Sequence, residues 1–462
     1  RQRHAFLAAL TAADERIVVV QPRGDLRRSG NRPMSRLLLT EFEALAGYRP
    51  EPDELDRFRA PWFDHVASFT DALDRDEPAT PQEHDLAATV RRGGPAVEHL
   101  RSVDGVVDRG IEMHLARAGD TLTRFDGNLS GVDLDVLDGE LSASRLEKWV
   151  SCPFAFFSEY VLGVRPLDEP EERTDLAPLV RGSIVHRVLE RLVVEGLEAG
   201  SLPGFGAPWT ADQRARAAEL QADECEHAEA RGEAAHPRFW PTVRARLAAE
   251  LDDFLVLDSA FRARLGSRPV AAERRFGDDA APDGALAVTL SDGQTLRFRG
   301  VVDRIDETAD GALVVVDTKT GRPDRYRAIP EDHFPEGSFL QLPIYALAVA
   351  TGEGTASHAT YAFVGGVAES DRHLGYDVDD EVVGAFRRVL ESAVRGIEGG
   401  AFPHHPPDSD RPEAHRCAHC TPDGLDARRV RAARIRKADD PVLALHADHL
   451  ATDFMAGPED GS

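Results

Sequence analysis

The residues that can do chemistry lie closest together between Gly300 and Gly321. Gly300-Val-Val-Asp303-Arg-Ile-Asp306 is an apolar run ending in carboxylates. After a turn that contains Gly311, Val314-Val-Val-Asp317-Thr-Lys319-Thr-Gly321 repeats the pattern. Two such runs joined by a short turn predict a hairpin. Period-two alternation puts Asp317 and Lys319 on one face of their strand and Thr318 on the other. Two carboxylates on adjacent strands make a hard-oxygen site suited to Mg2+ or Mn2+. A lysine on the same face can orient a water or stabilise charge developing on a phosphate. Either half alone reads equally well as a solvated strand end. The lysine tips the balance, because Lys148, Lys319 and Lys437 are the only lysines among 55 basic residues. A compact charge with an adjustable pKa suits this role where arginine does not.

Two further segments fit the same chemistry. Gly182-Ser-Ile-Val-His186-Arg-Val-Leu-Glu190 is an amphipathic helix on which His186 and Glu190 share a face. On its own, His186 reads as a packed core histidine. Gln341-Leu-Pro-Ile-Tyr345 opens another helix, with Gln341 and Tyr345 on one face. Alone, it reads as an ordinary helix start with a half-buried tyrosine.

Taken in order, these blocks resemble the PD-(D/E)XK nuclease superfamily in its RecB-like branch. The order is Gly-x3-His, Gly-x2-Asp-Arg-x-Asp, Asp-x-Lys-Thr-Gly and Gln-x3-Tyr, running from Gly182 to Tyr345. The resemblance implies an α/β fold with a central mixed sheet flanked by helices, as in restriction endonucleases. It implies that His186, Asp303 and Asp317 ligate the metal and that Lys319 is the catalytic lysine. Gln341 and Tyr345 would contact the nucleic-acid backbone or support the site.

Four cysteines, Cys152, Cys225, Cys417 and Cys420, are too few for a disulfide scaffold. Leu141-Ser-Ala-Ser-Arg-Leu-Glu-Lys-Trp-Val-Ser-Cys152-Pro resembles the segment that opens AddB-type nuclease domains. That resemblance implies an iron–sulfur cluster of the 4Fe-4S type, held by one cysteine before the nuclease fold and three after it. Cys417-Ala-His-Cys420 supplies two of the three, but Asp426 stands where the last cysteine is expected. Asp426 can serve as an oxygen ligand, Cys225, His415 or His419 can complete the site, or the cluster is labile or absent. Cys225 reads more simply as a buried thiol of an alanine-rich helix, and zinc is an alternative metal. The run Arg428-Arg429-Val-Arg431-Ala-Ala-Arg434-Ile-Arg436-Lys437 is either a solvated helix face or a DNA-backbone contact.

The elements that must position these residues read as follows. Helices are expected at 182–195, 209–232, 241–264, 338–350 and 381–397, and strands at 270–276, 285–290, 296–305, 312–318 and 358–364. Residues 1–125 resemble the end of a degenerate superfamily 1 helicase domain. Phe6, Leu7 and Leu10 mark a helix and Arg16–Val20 a strand, and further helices are expected at 54–58, 62–72, 96–100 and 106–117. Ala12 stands where active helicases carry an arginine, and the chain holds no Gly-x4-Gly-Lys-Ser/Thr phosphate loop. Residues 126–140 read as a linker, 141–440 as the nuclease domain with a helical insertion at about 205–265, and 441–462 as a tail.

Composition bounds the rest. The 462 residues suggest about two to four domains. No apolar stretch is long enough for a membrane span or a secretion signal, so a cytoplasmic protein is expected. The chain opens on Arg1 rather than Met, which reads as a piece of something longer. A formal net charge of −26 argues at first against nucleic acid. The acid lies mostly in linkers and surface helices, while arginine clusters at 1–36 and 428–437, so net charge speaks to solubility rather than to the site. The expected function is a metal-dependent DNA nuclease acting on single-stranded ends, beside a helicase or motor subunit, in double-strand break repair. The competing expectations are a DNA-end-binding scaffold with secondary nuclease activity and a stand-alone defence nuclease.

Overall fold

The computed structural model describes residues 2–22, 24–25, 28–31, 34–51, 54–55, 58–66, 80–92, 101, 105–165, 175–278, 284–350, 356–406, 419 and 427–456. The chain divides into two units, residues 1–119 with 407–431, and residues 120–406 with 432–462.

The first unit holds helices α1 (Gln2–Leu10), α2 (Arg36–Ala46), α3 (Pro81–Arg92) and α4 (Gly105–Ala118), and a small ribbon of β1 (Gly24–Asp25) and β2 (Arg28–Asn31). Ser35 caps α2 and Gly47 ends it in the left-handed region. Phe42 packs against Phe58, Trp62 and Phe63 at 4.8–5.2 Å between ring centres. The strand expected at Arg16–Val20 is not formed. Val18 and Val20 are 70% and 83% exposed there. An apolar β-branched run becomes a strand only when an edge pairs with it, and none does so among the described residues. Of the helix expected at 62–72, residues 62–66 instead follow a turn closed by an Ala60–Phe63 bridge, and 67–72 lie outside the described residues. The one expected at 96–100 lies outside the described residues.

The second unit is a three-layer α/β/α arrangement. Its helices are α5 (Ala143–Ser151), α6 (Pro153–Phe156), α7 (Pro178–Glu198), α8 (Ala211–Ala230), α9 (Trp240–Leu265), α10 (Gln341–Ala350), α11 (Asp380–Glu398) and α13 (Pro441–Ala451), while α12 (Ala427–Arg436) begins in the part of the chain assigned to the first unit and ends in this one. The main sheet is ordered β10 (His373–Asp377), β9 (Ala356–Phe363), β8 (Leu313–Lys319), β7 (Gly300–Thr308), β4 (Ser267–Phe276). Only β8 and β9 run parallel, so the sheet is mixed, as expected. A second sheet holds β3 (Glu140–Leu141), β6 (Thr295–Phe298) and β5 (Leu286–Thr289).

Alternation along the central strands builds two cores. Leu313 and Val315 of β8 and Tyr361 and Phe363 of β9 face a core shared with α5, α10 and α11. Val314, Val316 and Ala362 face a second core made with α7, α8 and α9. A central strand covered on both faces reads as a continuous apolar run, which is what Leu313–Val316 is.

Three expected boundaries move. The strand expected over 296–305 breaks at Arg299, whose N–H donates to the Leu141 carbonyl at 2.9 Å. β6 and β7 therefore belong to different sheets. Residues 126–140 read as a linker, yet the Leu129 N–H donates to the Gly400 carbonyl at 2.9 Å and Val136 is buried in the first core. Gly127 explains the close approach, since a Cβ there would lie 2.0 Å from the Phe402 carbonyl oxygen. The expected tail contains α13, whose His446 ring shares a 2.8 Å hydrogen bond with the Val150 carbonyl.

Candidate active site

β7 and β8 pair from Glu307–Leu313 to Arg304–Val316, joined by a turn in which Gly311 adopts φ 86°. The predicted hairpin is present. Beyond Arg304–Val316, Asp303 and Asp317 take the next opposing positions. There the Thr318 N–H donates to the Asp303 carboxylate at 2.6 Å. A side chain takes the hydrogen bond that a ladder carbonyl would otherwise receive.

Parity along β8 continues to its end. Asp317 and Lys319 share the face of the first core and form an ion pair. Lys319 Nζ also donates to Gln341 Oε1 at 2.8 Å and lies 5.2 Å from the centre of the Tyr361 ring. Tyr361 is the β9 neighbour of Asp317 in the ladder. The ammonium thus has a carboxylate, an amide oxygen and an aromatic face around it. Burial, assisted by the charge of Asp303, pushes the Asp317 carboxyl up to about 6 against the opposing pull of Lys319. Lys319 is drawn down by burial, but Asp317 outweighs this and holds its pKa above the usual lysine value.

His186 comes from α7, which packs on the edge strand β4. Its Nδ1 lies 3.4 Å from Asp303 Oδ1 and 3.6 Å from Glu273 Oε1. One ligand atom from each of His186, Glu273 and Asp303 falls within 4.8 Å of the others. Burial lowers the imidazole pKa, yet the two carboxylates dominate and raise it to about 10. Two oxygen donors and one imidazole suit a hard or borderline divalent cation. The two carboxylates thus favour positive charge at this cluster. Glu190, one turn along α7, lines the same cavity.

Gln341 and Tyr345 open α10, as expected from the sequence. Gln341 touches Lys319, whereas Tyr345 turns inward and is only 9% exposed. Its ring lies 6.0 Å from that of Phe276 and rests on Gly300. A Cβ at position 300 would come within 2.9 Å of Phe276 and 3.0 Å of Tyr345. The glycine at the start of β7 therefore makes room for Tyr345 beneath the strand that carries Asp303.

Residues 140–422 match the PD-(D/E)XK nuclease superfamily. The chain belongs to this superfamily. Its curated relatives include an ATP-dependent helicase/deoxyribonuclease subunit from Acetivibrio thermocellus, 27% identical over 55% of this chain and 21% of the relative. The counterpart from Ruminiclostridium cellulolyticum, which carries the same name, is 29% identical over 40% of this chain and 16% of its own length. That from Symbiobacterium thermophilum is 31% identical over 46% and 18%. The chain spans about a fifth of the length of these relatives.

Within the nuclease domain, the structure brings His186 to Asp303 and Lys319 to Asp317 and Gln341. It adds Glu273, which the sequence blocks do not include. Its signal is faint, a single acidic residue in the strand-like run Val270–Phe276. Asp306, at the end of the same motif as Asp303, lies elsewhere. It is fully buried and paired with Arg304 at 2.9 Å. Arg304 also binds Asp258 of α9 at 2.6 Å, and Asp258 accepts from Arg262 at 3.1 Å and Trp209 at 2.9 Å. Burial pushes the Asp258 carboxyl up, but the surrounding cations win and hold it well below the usual range. This network fastens β7 to α9 directly behind Asp303.

Of the cysteine site, Cys152 is described. It joins α5 to α6, half-buried, with its N–H donating to the Lys148 carbonyl at 3.0 Å. Cys417, Cys420 and Asp426 lie outside the described residues, as does His415. Cys225 is fully buried in α8 within the second core, and burial raises its thiol to about 11. Residues 427–436 are helical, as the basic run suggests, but Lys437 is not part of a cationic surface. It is 1% exposed and its Nζ binds Asp126 at 2.7 Å. The chain turns inward after α12, so the last cation of the run becomes a buried tie to the segment that reads as a linker.

Proposed function

We propose that this chain hydrolyses DNA phosphodiester bonds with Mg2+ or Mn2+, as an exonuclease on single-stranded ends. The convergence of His186, Glu273 and Asp303 next to the Asp317–Lys319 pair carries this reading. His186, Asp303 and Asp317 would hold the cation, with Glu273 as a further donor. Bound there, a divalent ion would polarise the phosphodiester and ease ionisation of a water. Lys319, aimed by Asp317 and Gln341, orients that water and faces the negative charge that grows on the phosphate. Gln341 fixes the lysine, and Tyr345 supports the strand carrying Asp303. No covalent enzyme intermediate is required.

The chain would act beside a helicase or motor subunit, in the cytoplasm, during double-strand break repair. The relatives' name, an ATP-dependent helicase/deoxyribonuclease subunit, supports the helicase partner, and residues 1–125 would be the remnant of a helicase-like domain. Cys152, Cys417, Cys420 and Asp426 would hold an iron–sulfur cluster, or zinc, as a staple on the nuclease domain. No helix among the described residues is long and apolar enough to cross a membrane.

The test is degradation of single-stranded DNA with Mg2+ or Mn2+ by the wild type, Asp317→Ala and Lys319→Ala. Each variant is expected to lose at least about a hundredfold in rate, the scale of removing one transition-state-stabilising group. Equal activity in all three would overturn the assignment.

A further inference from the structure

Glu147 lies on α5, far in sequence from the Asp317–Lys319 pair and from Gln341. Its Oε1 accepts the Leu340 N–H at 2.6 Å. Leu340 is fully buried and immediately precedes Gln341, the first residue of α10. The N–H groups at a helix start have no partner within the helix. A carboxylate in that position satisfies them and complements the positive end of the helix. Here the carboxylate comes from another helix, and it meets a constrained turn. Phe339, just before Leu340, adopts φ 65°, a conformation that non-glycine residues rarely take. Burial raises the Glu147 carboxyl, while the Leu340 N–H and the charges of Lys319 and Arg325 pull the other way.

The helix carrying Glu147 is itself anchored. Leu146 and Trp149 on α5 are fully buried, and Trp149 Nε1 donates to the Ala401 carbonyl at 2.9 Å. The chain of contacts therefore runs from a fixed α5 through Glu147 to the start of α10, then from Gln341 to Lys319.

We propose that Glu147 is a positioning residue for the nuclease site: by holding the Leu340–Gln341 turn it sets the pose of Gln341 and, through it, of the Lys319 ammonium. Because Cys152 ends the same helix, the cysteine-bearing segment and the catalytic lysine share one rigid support. This inference rests on the reading of Lys319 as the lysine of phosphodiester hydrolysis.

The experiment compares the full chain with Glu147→Ala, Glu147→Asp and Glu147→Gln. Two readouts are taken, single-stranded DNA hydrolysis in Mn2+ and hydrogen exchange at the 340–341 amides. Aspartate withdraws the acceptor by one methylene, whereas glutamine keeps an acceptor oxygen at the same reach. Glu147→Ala and Glu147→Asp are expected to lower kcat tenfold or more with KM for DNA unchanged, and to speed exchange at 340–341. Glu147→Gln is expected to stay within threefold of wild type in both. A purely structural role would not separate kcat from KM, nor be rescued by glutamine alone. If Glu147→Ala does not fold, the Asp and Gln variants decide in the same way. Wild-type kcat and exchange in the Asp variant overturn the proposal, as does a Gln variant as impaired as the Asp one. A wild type that cleaves no DNA defeats the functional reading, and the exchange data still decide whether Glu147 holds the turn.

Discussion

Glu273 stands opposite Asp303 across the β4–β7 ladder, between the pairs Ala272–Arg304 and Arg274–Val302. Its backbone adopts φ 49°, the left-handed region, in the middle of a strand. That local departure accompanies a carboxylate aimed at His186 rather than at solvent. Strained backbone of this kind persists only where the surroundings hold it.

Glu273 should therefore contribute to cation binding. Glu273→Gln is expected to weaken Mn2+ binding about tenfold to a hundredfold, the range found when a partner of a metal site is removed. Calorimetric titration of Mn2+ into the folded chain measures it without reference to activity. An unchanged affinity would remove Glu273 from the site.

Gly300 should not tolerate a side chain. Gly300→Ala places a methyl against Phe276 and Tyr345 at 2.9–3.0 Å. Overpacking of this kind costs about 1–3 kcal/mol. Denaturant unfolding should show the loss, and a Gly300→Ala/Tyr345→Phe pair should not restore it, since the ring rather than the hydroxyl is in the way.

The buried network behind Asp303 should be strongly stabilising as a unit. Arg304→Met leaves Asp258 and Asp306 facing each other without their shared cation. Breaking a buried pair in this way costs about 3–5 kcal/mol. An Arg304→Met variant that unfolds at the wild-type denaturant concentration would contradict the account.

Acid should loosen the docking of α13. Burial lowers the imidazoles of His446 and His449 from their ordinary 6.5 to about 3 and about 4. With folded values below the unfolded one, the unfolded chain takes up protons first. Their stabilisation is complete above about pH 6.5 and shrinks as pH falls toward 4 and then 3. The melting temperature should fall across that window. A His446→Gln/His449→Gln variant should show a shallower fall than wild type.

How much of this was legible in the sequence depends on the distance over which each feature is encoded. The hairpin of β7 and β8 was, because alternation and a glycine turn are local properties. So were the helices 211–230 and 240–265, found within one or two residues of their expected ends. The strand expected at Arg16–Val20 failed because its apolar pattern met no partner edge. The linker expected at 126–140 failed because its glycines and aspartates serve close packing as well as turns. Gly127 lies under Phe402, and Asp126 holds the buried Lys437.

The sequence by itself determined that Asp317 and Lys319 share a face, since two-residue periodicity leaves no other choice. It also singled out His186, Asp303, Gln341 and Tyr345 by their order along the chain. Only the tertiary structure decided the places of Glu273 and Glu147. Each meets its partner across a ladder or a helix end formed by chain far away, 193 residues in the case of Glu147 and Leu340. An acidic residue on a strand or helix looks the same in sequence whether it faces water, a metal site or the first turn of another helix. Packing alone distinguishes these cases, because it fixes which side of each element is turned toward the site.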